Sequence, residues 1–273
     1  MDFHRIQLTT PEFTNTRMNI TELSKERISE ELKRAKSTLD FEQETVRILF
    51  SPQTITDQNI EEVSALYGRL GNKDFDTVVV IESQPSDSLK KIPMPSHKSF
   101  STPFGEVIVN DKLRNEFCDE DDDFFIDDNA WDENLSLYHQ LMMLQSSIDD
   151  FSVVSIQLTD ESSFIVKELA GVLEEILATR NALIVFCCDL NSELKDELKK
   201  VVHLIESGNQ SGLMNYLNSD DSHIKGKGAF IAGLMVAGAW GLKLNFIALQ
   251  DSSIPVTNLL SGYADMQRHQ IYG

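Results

Sequence analysis

Three scarcities narrow the function of this 273-residue chain before any motif is read. Cysteine is scarce: Cys118, Cys187 and Cys188 are an odd set with one adjacent pair, which is not the framework of a secreted, disulfide-stapled protein. Positive charge is scarce: 24 Lys and Arg stand against 44 Asp and Glu, a formal net charge of −20. Nucleic acid and anionic membrane surfaces would be repelled, and a basic protein is the kind of partner such a surface favours. Long apolar runs are missing: none reaches the length of a membrane span, and the opening MDFHRIQLTT has no signal-peptide core. The expectation is an acidic cytoplasmic protein.

The familiar catalytic signatures are missing too. The nearest approach to a nucleophile elbow, Gly208-Asn209-Gln210-Ser211-Gly212, has the wrong spacing and follows a helical pattern rather than a strand. Lys225-Gly226-Lys227-Gly228 lacks the spacing and the hydroxyl of a phosphate loop. It reads either as a capping turn or as a helix N-terminus offering Lys225, Lys227 and free amides to an anion. The histidines, His4, His97, His139, His203, His223 and His269, are scattered, with no two at metal-ligand spacing.

What is present is a scaffold. Leu183 to Cys188 is a short, wholly apolar run ending at Asp189, the pattern of a strand buried on both faces in a parallel sheet. Val46 to Phe50, Thr77 to Ile81, Ser152 to Leu158 and Leu244 to Leu249 read as further strands, a short strand is expected at Glu106 to Val109, and Val256 to Met266 closes the sheet. Helices alternate with them. Ile28, Leu32, Ala35 and Leu39 share one face of a helix over 22–39, and Asp57 caps a helix through Leu70. Helices follow over 135–148, over 162–179 with Phe164, Leu169, Val172, Leu173 and Ile176 inward, from Asn191 or Ser192 to Ser207, over 211–217, and over 229–242. The fold class is α/β: one three-layer domain, a mixed or mostly parallel sheet with helices on both faces. Residues 1–43 form an arm and outer helix, and residues 44–273 the main domain.

Ligands of such folds gather at the carboxyl ends of the strands. There Asp189 serves either as a helix cap or as a pocket wall, and Cys187 and Cys188, pointing to opposite faces, read as core residues. Pro85, Pro93, Pro95 and Pro103 crowd one connection, which also holds His97, and exclude helix and central strand from it. Glu116 to Glu133 holds ten acidic residues and no basic one, and reads as a solvated loop pinned by Phe124, Phe125 and Ile126.

Several segments, in order, resemble those of the Memo-like family, a fold related to the class III extradiol dioxygenases. Thr102-Pro103-Phe104-Gly105-Glu106-Val107, followed by Val109-Asn110, resembles the family's TPLG-x-x-x-VD. Ala130 to Leu137 resembles its AHE-x-EHS-I/L segment, Phe151 to Leu158 the strand that follows, Cys187 to Leu190 its SSD-[FL] strand end, and Gly262-Tyr263-Ala264 the closing GYAA. The resemblance covers roughly residues 44 to 266. It implies a metal-type triad of two histidines and a cysteine, and here it breaks. Gln53 stands for the first histidine, Pro85 for the second (Asp87 if the alignment shifts), and Lys227 for the cysteine. Trp131, Leu135 and Ser192 stand where further pocket histidines are expected. Proline offers no donor and a protonated lysine repels a cation, so this set makes no transition-metal site.

The expectation is therefore a Memo-like protein with a degenerate, metal-free site and no cofactor, a binding or scaffolding partner of another protein, of itself or of another Memo-like chain. The rival is an enzyme or small-anion binder with a relocated site built from Asp132, Asp189 and Lys227, with His97 or His139 nearby. A calcium role for the acidic stretch is a weaker third reading. A calcium loop needs alternating ligands and a glycine turn, and 116–133 has no glycine. Calcium titration is expected to give neither binding heat nor a rise in melting temperature, and either signal would reinstate the site.

Overall fold

The computed structural model describes residues 23–38, 45–71, 75–86, 89–128, 136–250 and 254–266. Its centre is a six-stranded mixed sheet. Strands β1 (Thr45–Ser51), β2 (Thr77–Ser83), β7 (Ser152–Leu158) and β8 (Ala182–Cys187) run parallel in the order β7-β2-β8-β1. Strands β10 (Gly262–Met266) and β9 (Lys243–Phe246) extend the β1 edge antiparallel. The parallel strands are buried along nearly their whole length, as their unbroken Val, Ile, Leu and Phe runs require when helices cover both faces.

Strand alternation sorts each run between two cores. Leu183, Val185 and Cys187 join Val78 and Val80 on the face covered by α2 (Ile60–Gly68) and α4 (Leu137–Ser147). Helix α1 (Lys25–Thr38) packs across these two, burying Ile28 and Leu32 in the same core. Ile184, Phe186 and Cys188 join Val79 and Ile81 on the other face, under α5 (Ser163–Leu177) and α8 (Lys227–Ala239). Also on this side are α3 (Asp111–Glu120), α6 (Lys195–Glu206) and α7 (Gln210–Leu217). Three layers and a mixed sheet result, the α/β class expected, with the two cysteines of the pair in opposite cores. Among the described residues no helix is long and apolar enough to cross a membrane.

The proline-rich connection is more structured than its composition predicts. Pro93 lies in β3 (Ile92–Met94), a two-stranded partner of β6 (Phe124–Ile126), and β4 (Ser99–Thr102) pairs with β5 (Gly105–Ile108). Two-stranded sheets tolerate proline because each strand has an unpaired edge. The acidic stretch is likewise not a loop throughout. It begins in α3, passes a turn and enters β6, where Phe124 is buried and stacks on Phe117 at 5.5 Å while Ile126 is exposed. Side-chain chemistry decided this: Asn110 accepts the Leu113 amide and starts α3 despite the charge that follows.

Other boundaries shift for tertiary reasons. Asp57 is exposed, and Asn59 holds the start of α2, accepting from the Thr56 amide. Phe164, expected inward, is exposed in the first turn of α5. The run from Leu244 splits into β9 and a 3-10 turn, Ile247–Leu249. Helix α6 begins at Lys195, later than expected, because the residues after β8 are tied to a neighbouring loop.

Helix α8 carries no charge after Lys227, and its glycines set how closely it lies on the sheet. A Cβ at Gly233 would stand 2.5 Å from Phe50 Cε1 and 2.8 Å from Phe186 Cδ2, whereas at Gly238 it would meet nothing within 4 Å. Gly233→Ala is expected to destabilise the protein by about 1–3 kcal/mol through overpacking. Gly238→Ala, in the same helix but facing open space, is expected to stabilise it by about 0.5–1 kcal/mol. Chemical denaturation of both variants checks the pair, and equal effects would show that α8 is not seated on the two phenylalanines as described.

Candidate functional site

The carboxyl ends of the four parallel strands converge under the turn that leads into α8. Gly226 adopts the left-handed conformation, φ 66°, at the N-cap of that helix. A Cβ there would lie 2.6 Å from the Cys187 carbonyl oxygen and 2.9 Å from Gln53 Nε2, so only glycine lets this turn cross the end of β8. The crossing is sealed by two backbone bonds, Asp189 N–H to the Lys225 carbonyl and Lys225 N–H to the Asp189 carbonyl, each 3.0 Å.

Asp189 is the half-buried acid at this junction. Both its carboxylate oxygens lie 3.3 Å from the Gln53 amide nitrogen, which donates to them. Burial pushes its pKa up to about 6; the Gln53 amide and the Lys225 charge pull the other way. The basic neighbour it responds to is thus Lys225, not the expected Lys227. Helix α8 offers few open amides to an anion. Gly228 N–H donates to Glu161 Oε1 at 2.8 Å and Ala229 N–H to Ser83 Oγ at 2.9 Å, so the chain's own groups occupy the anion position at this helix start. The free-amide reading of the Lys-Gly-Lys-Gly turn is corrected accordingly.

The other side of the β8 end is closed as well. Asn258 accepts from the Leu190 amide at 2.8 Å and donates to the Cys188 carbonyl at 2.9 Å, while Ser192 N–H donates to the Thr257 carbonyl at 3.1 Å. Glu62, fully buried on α2, holds that loop. It accepts from the Thr257 amide at 2.7 Å, from the Thr257 hydroxyl at 3.0 Å and from the Ser261 hydroxyl, and burial raises its pKa. Beside β8, Glu82 accepts from the amide and hydroxyl of Ser136 at the start of α4, at 2.7 and 2.5 Å, and burial raises its pKa too. Burial also pushes the thiols of Cys187 and Cys188 well up, so neither is a ready thiolate.

Gln53, Asp189 and the 225–228 turn are therefore brought together, and Lys227 starts α8 nearby. Pro85 is exposed just past β2. His97 is not at this end. Its neighbour Lys98 accepts from the Val109 amide, and Val109 bridges to Val153 at the start of β7, which places His97 toward the amino-terminal edge, exposed and stacked on Phe100 at 5.5 Å. Asp132, Trp131 and Leu135 lie outside the described residues. Among the described residues no group of three or more His, Cys, Asp or Glu is placed to hold a metal ion. A metal does not fit the triad positions either: Gln53 offers only an amide packed against the turn, Pro85 no donor and Lys227 a cation.

Sequence reading missed Glu62, Glu82 and Asn258, and the role of Glu161 at the start of α8. Glu82 alone carried a local signal, a carboxylate at the end of an otherwise apolar strand; the others act on segments 67 to 199 residues away.

A family model described as "Memo-like protein" matches residues 18–266. A curated protein of Thermotoga neapolitana, named "MEMO1 family protein", is 31% identical over 143 residues, 47% of this chain and 49% of the relative. The chain thus spans about half the length of the curated relative it matches.

Raised from 3.8 to about 6, the Asp189 pKa makes ionisation unfavourable to the folded state. Its contribution is complete below the unfolded value, near pH 4, and is lost as pH rises through about 6. Asp189→Asn, which stays neutral, is expected to be more stable than the parent at pH 8 by roughly 1–2 kcal/mol, after allowance for partial exposure, and nearly equal to it at pH 4. Unfolding curves at the two pH values measure this; a pH-independent difference would show that Asp189 is not the buried acid described.

Proposed function

The chain belongs to the Memo-like family, and from that premise we propose that it is a non-catalytic member, with a degenerate, metal-free strand-end site, that works as a binding or scaffolding partner of another protein. The arrangement that supports this reading is the closure of the strand ends. Asp189 is tied to the Gln53 amide, Glu161 and Ser83 cap α8, and Glu62 and Asn258 fasten the loop that follows β8. Groups of this kind serve acid/base chemistry when they face substrate; here they are engaged in holding segments together. The partner is a protein with a basic surface, in keeping with the net charge of −20. Self-association and pairing with another Memo-like chain are narrower forms of the same reading. The cytoplasm suits three unpaired cysteines, two of them buried.

One observation favours a second reading. An acid with a pKa near 6 at a strand end, facing Lys225, is the kind of group that does proton transfer or binds a small charged ligand. In that reading Asp189 and Lys225, with Asp132 and Lys227, are the residues to change first.

Metal content separates the proposal from family-type chemistry. Mass spectrometry of the purified, untagged protein is expected to give well under one equivalent each of iron, copper, zinc and manganese. One full equivalent of any of them would overturn the metal-free reading. Recovery of a defined basic protein by pull-down, weakened by salt, is the expected positive result.

A further inference from the structure

Each of the four parallel strands ends in one polar or thiol residue on the face beneath α2 and α4, and the register sets them in a row. Ser51 lies beside Cys187, Cys187 beside Glu82, and Glu82 beside Gln157. The β1 half of the row is fully paired. Ser51 donates to Gln140 Oε1 at 2.9 Å, the Tyr67 hydroxyl donates to the same oxygen, and Gln140 Nε2 donates to the Pro52 carbonyl at 2.8 Å.

The β2–β7 half is different. Glu82 gives one oxygen to Ser136 and the Leu137 amide also faces its carboxylate, but its Oε2 makes no well-formed hydrogen bond among the described residues. Neither does Gln157 Oε1, Gln157 Nε2 or the Ser155 hydroxyl, one pleat earlier on the same face of β7. The three side chains are 3%, 1% and 3% exposed, so bulk solvent does not serve them. An unpaired buried polar group costs about 1–3 kcal/mol, and four such atoms side by side call for a common occupant.

We propose that this half of the row is a hydrated site: one or two ordered water molecules bridge Glu82 Oε2, the Gln157 amide and the Ser155 hydroxyl, and belong to the framework of the strand ends. Adjacent strands lie about 4.8 Å apart, the span a single water bridges between side chains of neighbouring strands. The occupant has to donate to Gln157 Oε1 and accept from Gln157 Nε2, which water does and a bare cation does not. It has to be small, because the surrounding side chains are buried. It has to be neutral: Glu82 is turned to amide and hydroxyl donors and no basic side chain contributes to its surroundings, and its carboxyl is accordingly raised toward the neutral form. A buried polar site that offers two to four partners per water is the usual setting of internal water in proteins.

A crystal structure at about 1.5 Å resolution tests the proposal directly. The expected result is density within about 2.6–3.2 Å of Glu82 Oε2 and of a Gln157 amide atom. A dry contact, a side chain of residues 129–135 filling the space, or an ion at the roughly 2.3–2.6 Å distances of a hard cation would each overturn it. Stability gives an independent answer. If the site is hydrated, Ser155→Ala and Gln157→Met each strip a partner from the water and lower the melting temperature by about 2–4 °C. If the site is dry, the same changes delete unpaired groups and raise it. Ser155→Ala removes a single oxygen, so it keeps the test decisive should Gln157→Met fail to fold.

Discussion

The constraint on which the structure depends is the ending of a parallel sheet that is buried on both faces. Strands of this kind stop inside the protein, and the peptide groups just past them still need partners. After β8 those partners come from far along the chain. Cys188 donates to the Ser51 carbonyl, Asp189 exchanges bonds with Lys225, Leu259 donates to the Leu190 carbonyl, and Asn258 serves both Cys188 and Leu190. Four acids, Glu62, Glu82, Glu161 and Asp189, accept from amides or hydroxyls of segments that would otherwise end unpaired. The strand ends are held by carboxylates rather than lined by them.

This bears on chemistry at the site. In α/β enzymes the same place holds acids and bases whose open valences face a ligand. Here Gln53 and Lys227 stand where the family resemblance implies metal ligands. The first is packed against the Gly226 turn and the second begins a helix whose next amides are already capped. On the strands themselves, the buried side-chain polar atoms that make no well-formed hydrogen bond among the described residues are Glu82 Oε2, the Ser155 hydroxyl and the Gln157 amide, which lie in the interior rather than at an open mouth.

How much was legible in the sequence depended on the range of the interaction. The strands Val46 to Phe50, Thr77 to Ile81, Ser152 to Leu158 and Leu183 to Cys188 were read from apolar runs of strand length, and all lie in the sheet within a residue or two. The buried stripe of α2, Ile60, Val63, Leu66 and Tyr67, follows from helical periodicity. By contrast, Phe164 fitted the apolar face of its helix and yet is exposed, and the stretch after Phe117 looked like a charged loop and yet carries a helix end and a strand. Local pattern gives a side chain's preference. Whether a neighbour exists to satisfy it is a non-local matter.

The sequence by itself determined the class of fold, the two-faced burial of the central strands and the opposite placement of Cys187 and Cys188. Each of these rests on residue identity or on a period of two to four residues, which the chain carries locally. Only the tertiary structure decided that Asp189 meets Lys225 rather than Lys227, that His97 lies away from the strand ends, and that Glu62 clamps a loop 195 residues further on. It alone placed Glu82 beside Gln157, 75 residues apart in sequence and adjacent in the sheet. The physical reason is that strand order and register bring these groups together, and no local pattern encodes which distant strand becomes a neighbour.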